Sequence, residues 1–187
     1  GQYELECHSN AAAASFRWLR DAMYPEVKFL TDAGDQKVDV YDIMTAIASK
    51  ANVGSDGLIY LPWNAGAACP HWNAAARGGF LGFTFAHSRA EVTRAVMEGV
   101  VYDIRDMWET ELKAGLPPFE VLRLSGGAAR SRLWCQIVAD VLNVTVETTE
   151  NEEATALGAA MLAAVGGGLY KNLQEAADNM VQVKERF

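Results

Sequence analysis

Hydrophobic positions along the chain recur mostly at helical spacing, broken by short apolar runs that end at Gly or Pro. The pattern predicts a first helix over 9–23, with Ser9 or Asn10 as N-cap and Pro25 as its stop. The opening residues 1–6 read like the end of a strand. A second amphipathic helix spans 39–50, with Val40, Ile43, Met44, Ile47 and Ala48 on one side. Gly54 and Gly57 bracket a turn, and the run 58–61 is a short buried strand closed by Pro62. Residues 63–79 are irregular and aromatic, and 80–84 form a short extended segment.

Ser88 opens a long helix reaching Lys113, because Ser88 and Glu91 stand at capping-box spacing. Val92, Ala95, Val96, Gly99, Val100, Ile104, Met107 and Trp108 give it a periodic apolar side. Gly99 in mid-helix costs about 1 kcal/mol relative to Ala, which points to close packing there. The order then becomes strand (120–124), turn (125–128), helix (129–142), strand (144–147), helix (153–165) and a last helix over 172–180. Alternation of this kind implies parallel strands and an α/β fold.

Composition narrows the class. The chain has 187 residues, half of them hydrophobic, which excludes disorder. The 16 Lys+Arg against 24 Asp+Glu leave a net charge of −8, which argues against binding nucleic acid or an anionic membrane. Cys7, Cys69 and Cys135 show no CxxC spacing and suggest neither a disulfide framework nor a zinc site. A reducing cytosol is the natural home. No run is apolar enough for a transmembrane helix, and the opening residues do not read as a signal peptide.

Candidate chemistry gathers at Ser125-Gly126-Gly127-Ala128. Paired glycines between a strand and a helix let backbone approach a ligand with no Cβ in the way, and a helix start favours an anion. Packing alone is the competing explanation. Neither a Walker A loop nor the GxGxxG fingerprint is present. A dinucleotide enzyme would need an acidic residue after the second strand, where Glu147 stands, but its glycine pattern is absent. His71 and His87 have no carboxylate or nucleophile at a telling spacing and read as structural. Asp103, Asp106 and Glu109 read as a solvent face, Cys135 as core, and Glu150, Glu152 and Glu153 as favourable charges at a helix start.

Four ordered motifs carry a family resemblance. They are Gly78-Gly79-Phe80-Leu81-Gly82-Phe83 followed by Glu91-Val92 and Ala95-Val96-Met97-Glu98; Pro70-His71-Trp72-Asn73 with Ala76-Arg77-Gly78; residues 125–131 with Leu133-Trp134; and residues 153–160. Together they resemble the C-terminal part of the FGGY family of carbohydrate kinases; Phe83 departs from it, since an aliphatic residue is usual there. The resemblance implies an actin-like (ribonuclease H-like) ATPase domain, the C-terminal half of a two-domain sugar kinase. Residues 1–187 would form that domain, with the N-terminal sugar-binding domain, the catalytic Asp and the phosphate loops absent.

It also implies ATP and Mg²⁺ as cofactors and transfer of the γ-phosphate to a small sugar or polyol. A ketopentose such as xylulose is the favoured acceptor. Nucleotide contacts carried over are Gly126, Gly127, Ala128 and Ser131, with Ala13 and Arg17 ahead of Trp18-Leu19-Arg20. No catalytic residue or metal ligand is carried over, so the chain alone is expected to be inactive. A cytoplasmic location and a homodimer fit this reading. The alternative is a non-catalytic actin-fold nucleotide-binding scaffold or regulatory module.

Overall fold

The computed structural model describes residues 6–27, 29 and 39–187. Two compact units divide the chain, Gly1–Pro118 and Phe119–Phe187. The strand end expected at 1–6 lies almost wholly outside the described residues.

In the first unit, α1 (Ala12–Met23) starts three residues later than expected and without a side-chain cap on Ala11. Asn10 does not cap it; its amide donates instead to the carbonyls of Ala65 and Gly66, at 3.4 and 3.5 Å. Helix α2 (Val40–Ala48) is capped by Asp39, whose carboxylate accepts from the Tyr41 amide at 2.9 Å. Val40, Met44 and Ala48 form its buried face. Strand β1 (Ile59–Leu61) pairs antiparallel with β2 (Gly79–Leu81), Tyr60 facing Phe80 in register. Tyr60 is buried while Ile59 is exposed, so the run is half-buried rather than fully buried.

The centre of this unit is α3 (Arg89–Lys113), 25 residues long, with the expected Ser88/Glu91 capping box intact. Serine hydrogen bonds hold the Glu91 carboxyl below its usual pKa. Residues 92–101 are buried without interruption, because α1, α2 and β1 all pack on this helix. The burial includes Arg94 and Glu98, which an amphipathic reading does not foresee. Arg94 Nε donates to Glu98 at 2.7 Å, and Glu98 also accepts from the Gly54 amide and the Ser55 hydroxyl. Arg94 Nη1 reaches the Ala51 carbonyl at 3.2 Å. This ion pair therefore fastens the loop after α2 to α3.

In the second unit, β3 (Val121–Arg123) pairs parallel with β4 (Thr145–Thr149), as expected. Between them lies α4 (Arg132–Leu142), whose buried side includes Trp134, Cys135, Ile137, Val138 and Leu142. After β4 come α5 (Ala154–Gly166) and α6 (Leu173–Met180), which pack on one another. A further strand absent from the sequence reading, β5 (Val183–Arg186), runs antiparallel along β4 and makes it the central strand.

Candidate functional site

The glycine turn is built from β3 outward. Leu124 extends the pairing, its amide donating to the Glu147 carbonyl at 2.9 Å. Gly126 then takes φ 78°, ψ −164°, a region open almost only to glycine. Gly127–Arg130 follow as a 3₁₀ turn, closed by Ala129 N to Gly126 O and Ser131 N to Ala128 O, both 3.1 Å. The α-helix therefore begins at Arg132 rather than at 129, because Ser131 is extended and caps it, accepting from the Trp134 amide at 3.3 Å. Gly126, Gly127, Ala128 and Ser131 are thus brought together in one turn.

Glycines in this chain differ in what demands them. A Cβ on Gly78 would lie 1.8 Å from Asn64 Oδ1, and one on Gly82 would lie 2.5 Å from the Gly57 carbonyl oxygen. Those glycines serve the packing of the β1–β2 hairpin. A Cβ on Gly127 meets nothing within 4 Å, and its φ is not positive. Among the described residues neither space nor a positive φ requires glycine at 127, a condition shared by Gly79, Gly158 and Gly166.

Beside the turn is a cavity of about 380 Å³, lined by Leu124, Ser125, Arg130, Thr149, Glu152 and Lys184 among others. It opens at the carboxyl ends of parallel β3 and β4, where α/β sheets bind their ligands. Arg130 pairs with Glu152 at 2.7 Å, and Arg132 with Glu185. Glu152 therefore neutralises an arginine of the turn instead of serving the start of α5, which has no acid in its first turn. These charged side chains were missed in the sequence because each pair joins residues far apart in the chain.

Ala13 and Arg17 stand one helical turn apart on the exposed side of α1, in the first unit. Trp18 beside them stacks on Tyr60, the rings 8° from parallel with centroids 6.4 Å apart. His87 is structural, as expected: Nδ1 accepts from the Thr84 amide at 2.9 Å and Nε2 lies 3.3 Å from the Asp56 carbonyl. His71 does have a carboxylate partner, Asp106, at 2.8 Å. Asp103 is buried rather than on a solvent face, because the Trp63 indole donates to it at 3.1 Å. Glu109 pairs with Arg105 at 2.8 Å on the surface, and that guanidinium lowers its carboxyl pKa. Cys135 is core, and burial pushes its thiol pKa up.

Glu147 is buried between Arg123 and Arg186, at 3.4 and 2.9 Å. A carboxylate held on both sides is not offered to a ribose, which removes the dinucleotide reading. Among the described residues no group of three or more His, Cys, Asp or Glu is arranged to hold a metal ion. Nor is any helix among them long and apolar enough to cross a membrane.

A glycine turn beside a cavity at the ends of parallel strands marks the second unit as an α/β fold. Residues 1–167 match the C-terminal domain of the FGGY family of carbohydrate kinases, and the chain belongs to that family. It is 32% identical over 177 residues to a xylulose kinase of Staphylococcus epidermidis, covering 95% of this chain and 33% of that protein. It is likewise 32% identical over 170 residues to a gluconokinase of Bacillus subtilis, covering 90% and 33%. A xylulose kinase structure from Lactobacillus acidophilus superposes with a TM-score of 0.79 at 27% identity, covering 96% of this chain and 34% of that one. The chain thus spans about a third of the length of its relatives.

Proposed function

We propose that this chain is the nucleotide-binding part of a cytoplasmic ATP-dependent carbohydrate kinase with an actin-like fold, and that all of residues 1–187 belong to it. The observation that carries the reading is the open space at Gly127, in a turn whose neighbour Gly126 already needs glycine for its backbone. A nucleotide against that turn accounts for a glycine that packing leaves unexplained. Phosphoryl transfer depends on positioning and charge stabilisation more than on covalent steps. Gly126, Gly127 and Ala128 would give backbone access to the nucleotide. Ser131 would border it while capping α4, and Ala13 and Arg17 on α1 are proposed as nucleotide contacts on the family resemblance alone.

Mg²⁺ finds no preformed ligand set among the described residues, so what these residues do is hold and orient the nucleotide. The acceptor we propose is a ketopentose such as xylulose, supported by the relatives that bear that name.

The test is Gly127→Val in the full-length enzyme. ATP affinity should fall at least tenfold, about 1.4 kcal/mol. The melting temperature should hold, because valine meets open space, and sugar affinity should hold as well. Glu109→Ala, in a surface pair, should move neither. Unchanged ATP affinity in a folded Gly127→Val enzyme would remove the turn from the site. A coupled ADP-release assay with xylulose, gluconate and glycerol checks the acceptor; a higher kcat/KM for gluconate or glycerol would overturn the ketopentose. The 187-residue chain alone should show no sugar-dependent turnover.

A further inference from the structure

Cys7 and Cys69, 62 positions apart, lie with their sulfur atoms 3.3 Å from each other. Cys7 precedes α1 and Cys69 sits in the aromatic loop, so neither belongs to a helix or strand that would resist a small movement. Both thiols are free and half-buried. Cys69 donates its hydrogen to the Cys7 sulfur, and Cys7 in turn donates to the Glu111 carboxylate on α3. A disulfide needs the sulfurs at about 2.05 Å, a closure of about 1.3 Å.

We propose that Cys7 and Cys69 are a redox modification site, oxidised by hydrogen peroxide to an intrachain disulfide that joins the entry of α1 to the aromatic loop. In the first step the deprotonated Cys69 sulfur attacks one peroxide oxygen. The O–O bond breaks, leaving a sulfenic acid and a hydroxide that takes up the thiol proton as water. In the second step the Cys7 sulfur attacks the sulfenic sulfur while its proton passes to Glu111. The S–O bond breaks, and the departing hydroxide collects that proton as a second water. Two thiols and one peroxide give one disulfide and two waters; each sulfur gives up one electron, and the peroxide takes both.

The order of the two cysteines follows from their partners. The Cys7 hydrogen is held by a carboxylate, which disfavours its thiolate, so Cys7 is the resolving sulfur and Cys69 the one that attacks the peroxide. Cys135 is fully buried and takes no part. On oxidation, the helix carrying Ala13 and Arg17 becomes covalently joined to the loop at Cys69.

Trypsin places the three cysteines in separate peptides: one ending at Arg17, one spanning 51–77 and one spanning 133–171. The experiment treats the folded full-length protein with a small molar excess of hydrogen peroxide, blocks remaining thiols with iodoacetamide and maps peptides without reductant. The expected product is the peptide ending at Arg17 linked to 51–77, two mass units below the sum of the thiol forms and released by dithiothreitol. Cys7→Ser should instead accumulate a dimedone-reactive sulfenic acid on Cys69, at least tenfold above wild type. Recovery of both cysteines as separate alkylated or over-oxidised peptides, or linkage of either to any other cysteine, would overturn the proposal. A Cys7→Ser protein with no dimedone adduct on Cys69 would overturn the order of attack.

Discussion

Gly99 offers the sharpest check on the packing, because helix propensity and tertiary structure disagree about it. In an unconstrained helix interior Gly→Ala stabilises by about 1 kcal/mol. Here a Cβ would stand 2.2 Å from the Tyr60 carbonyl oxygen and 3.0 Å from both the Tyr60 carbonyl carbon and its Cβ. The obstacle is strand backbone, which cannot swing aside as a side chain can. Overpacking of a dense core costs about 1–3 kcal/mol, and backbone obstruction belongs at the upper end. Net of the propensity gain, Gly99→Ala should destabilise by about 2 kcal/mol, or about 4–8 °C of melting temperature at this size.

Gly158 is the matched control. It also lies inside a helix, yet its Cβ would meet nothing within 4 Å. Gly158→Ala should therefore stabilise the 187-residue chain, by up to about 1 kcal/mol. Urea titration of both variants, followed by tryptophan fluorescence, measures the two signs. A Gly99→Ala chain as stable as the parent would refute the claim that α3 lies directly on the β1 backbone.

Other outcomes follow from the same geometry. Glu98→Ala removes one side of a buried ion pair and leaves Arg94 uncompensated, so it should cost about 3–5 kcal/mol in the urea midpoint analysis. Ser88→Ala breaks a complete capping box and should cost about 1 kcal/mol by the same measurement. The Cys7 thiol pKa is pushed up from its ordinary value of 9.0 to about 12, first by its hydrogen bond to Glu111 and then by burial. Because the folded value lies above the unfolded one, this contribution to stability is present below pH 9 and lost as pH rises towards 12. Glu111→Gln should bring the Cys7 alkylation profile down towards pH 9; an unmoved profile would show that the carboxylate is not the cause.

Elements whose cause is local were legible in the sequence. The Ser88 cap, the long α3 and the strand–glycine–helix run each depend on residues within a few positions of one another. Features set by distant partners were not. Asn10 looks like a cap until the loop carbonyls at 65 and 66 claim its amide. Asp103 looks solvent-facing until the Trp63 indole finds it. At the candidate site, the Gly126–Gly127 turn was readable because paired glycines between a strand and a helix are a local signal, and the backbone at Gly126 demands one. Its charged surroundings were not, since Arg130 and Glu152 are 22 positions apart and Arg132 and Glu185 are 53. Strand β5 reads Val-Lys-Glu-Arg, a polar segment whose strand character comes from the partner it borders.

That last strand separates two kinds of boundary. The match to the family's C-terminal domain ends at residue 167, although similarity to single relatives runs past it, and the sheet is finished only by residues 183–186. A polypeptide cut where the likeness ends would expose the outer edge of β4, including the Val146 groups now bonded to Phe187 in both directions. It would also leave the buried Glu147 charge with Arg123 alone, at 3.4 Å. A strand left with one bare edge is a template for joining another molecule's strand. Such a trimmed piece should polymerise through its sheets, so the twenty residues past the family-domain match act as the cover that keeps neighbouring molecules apart.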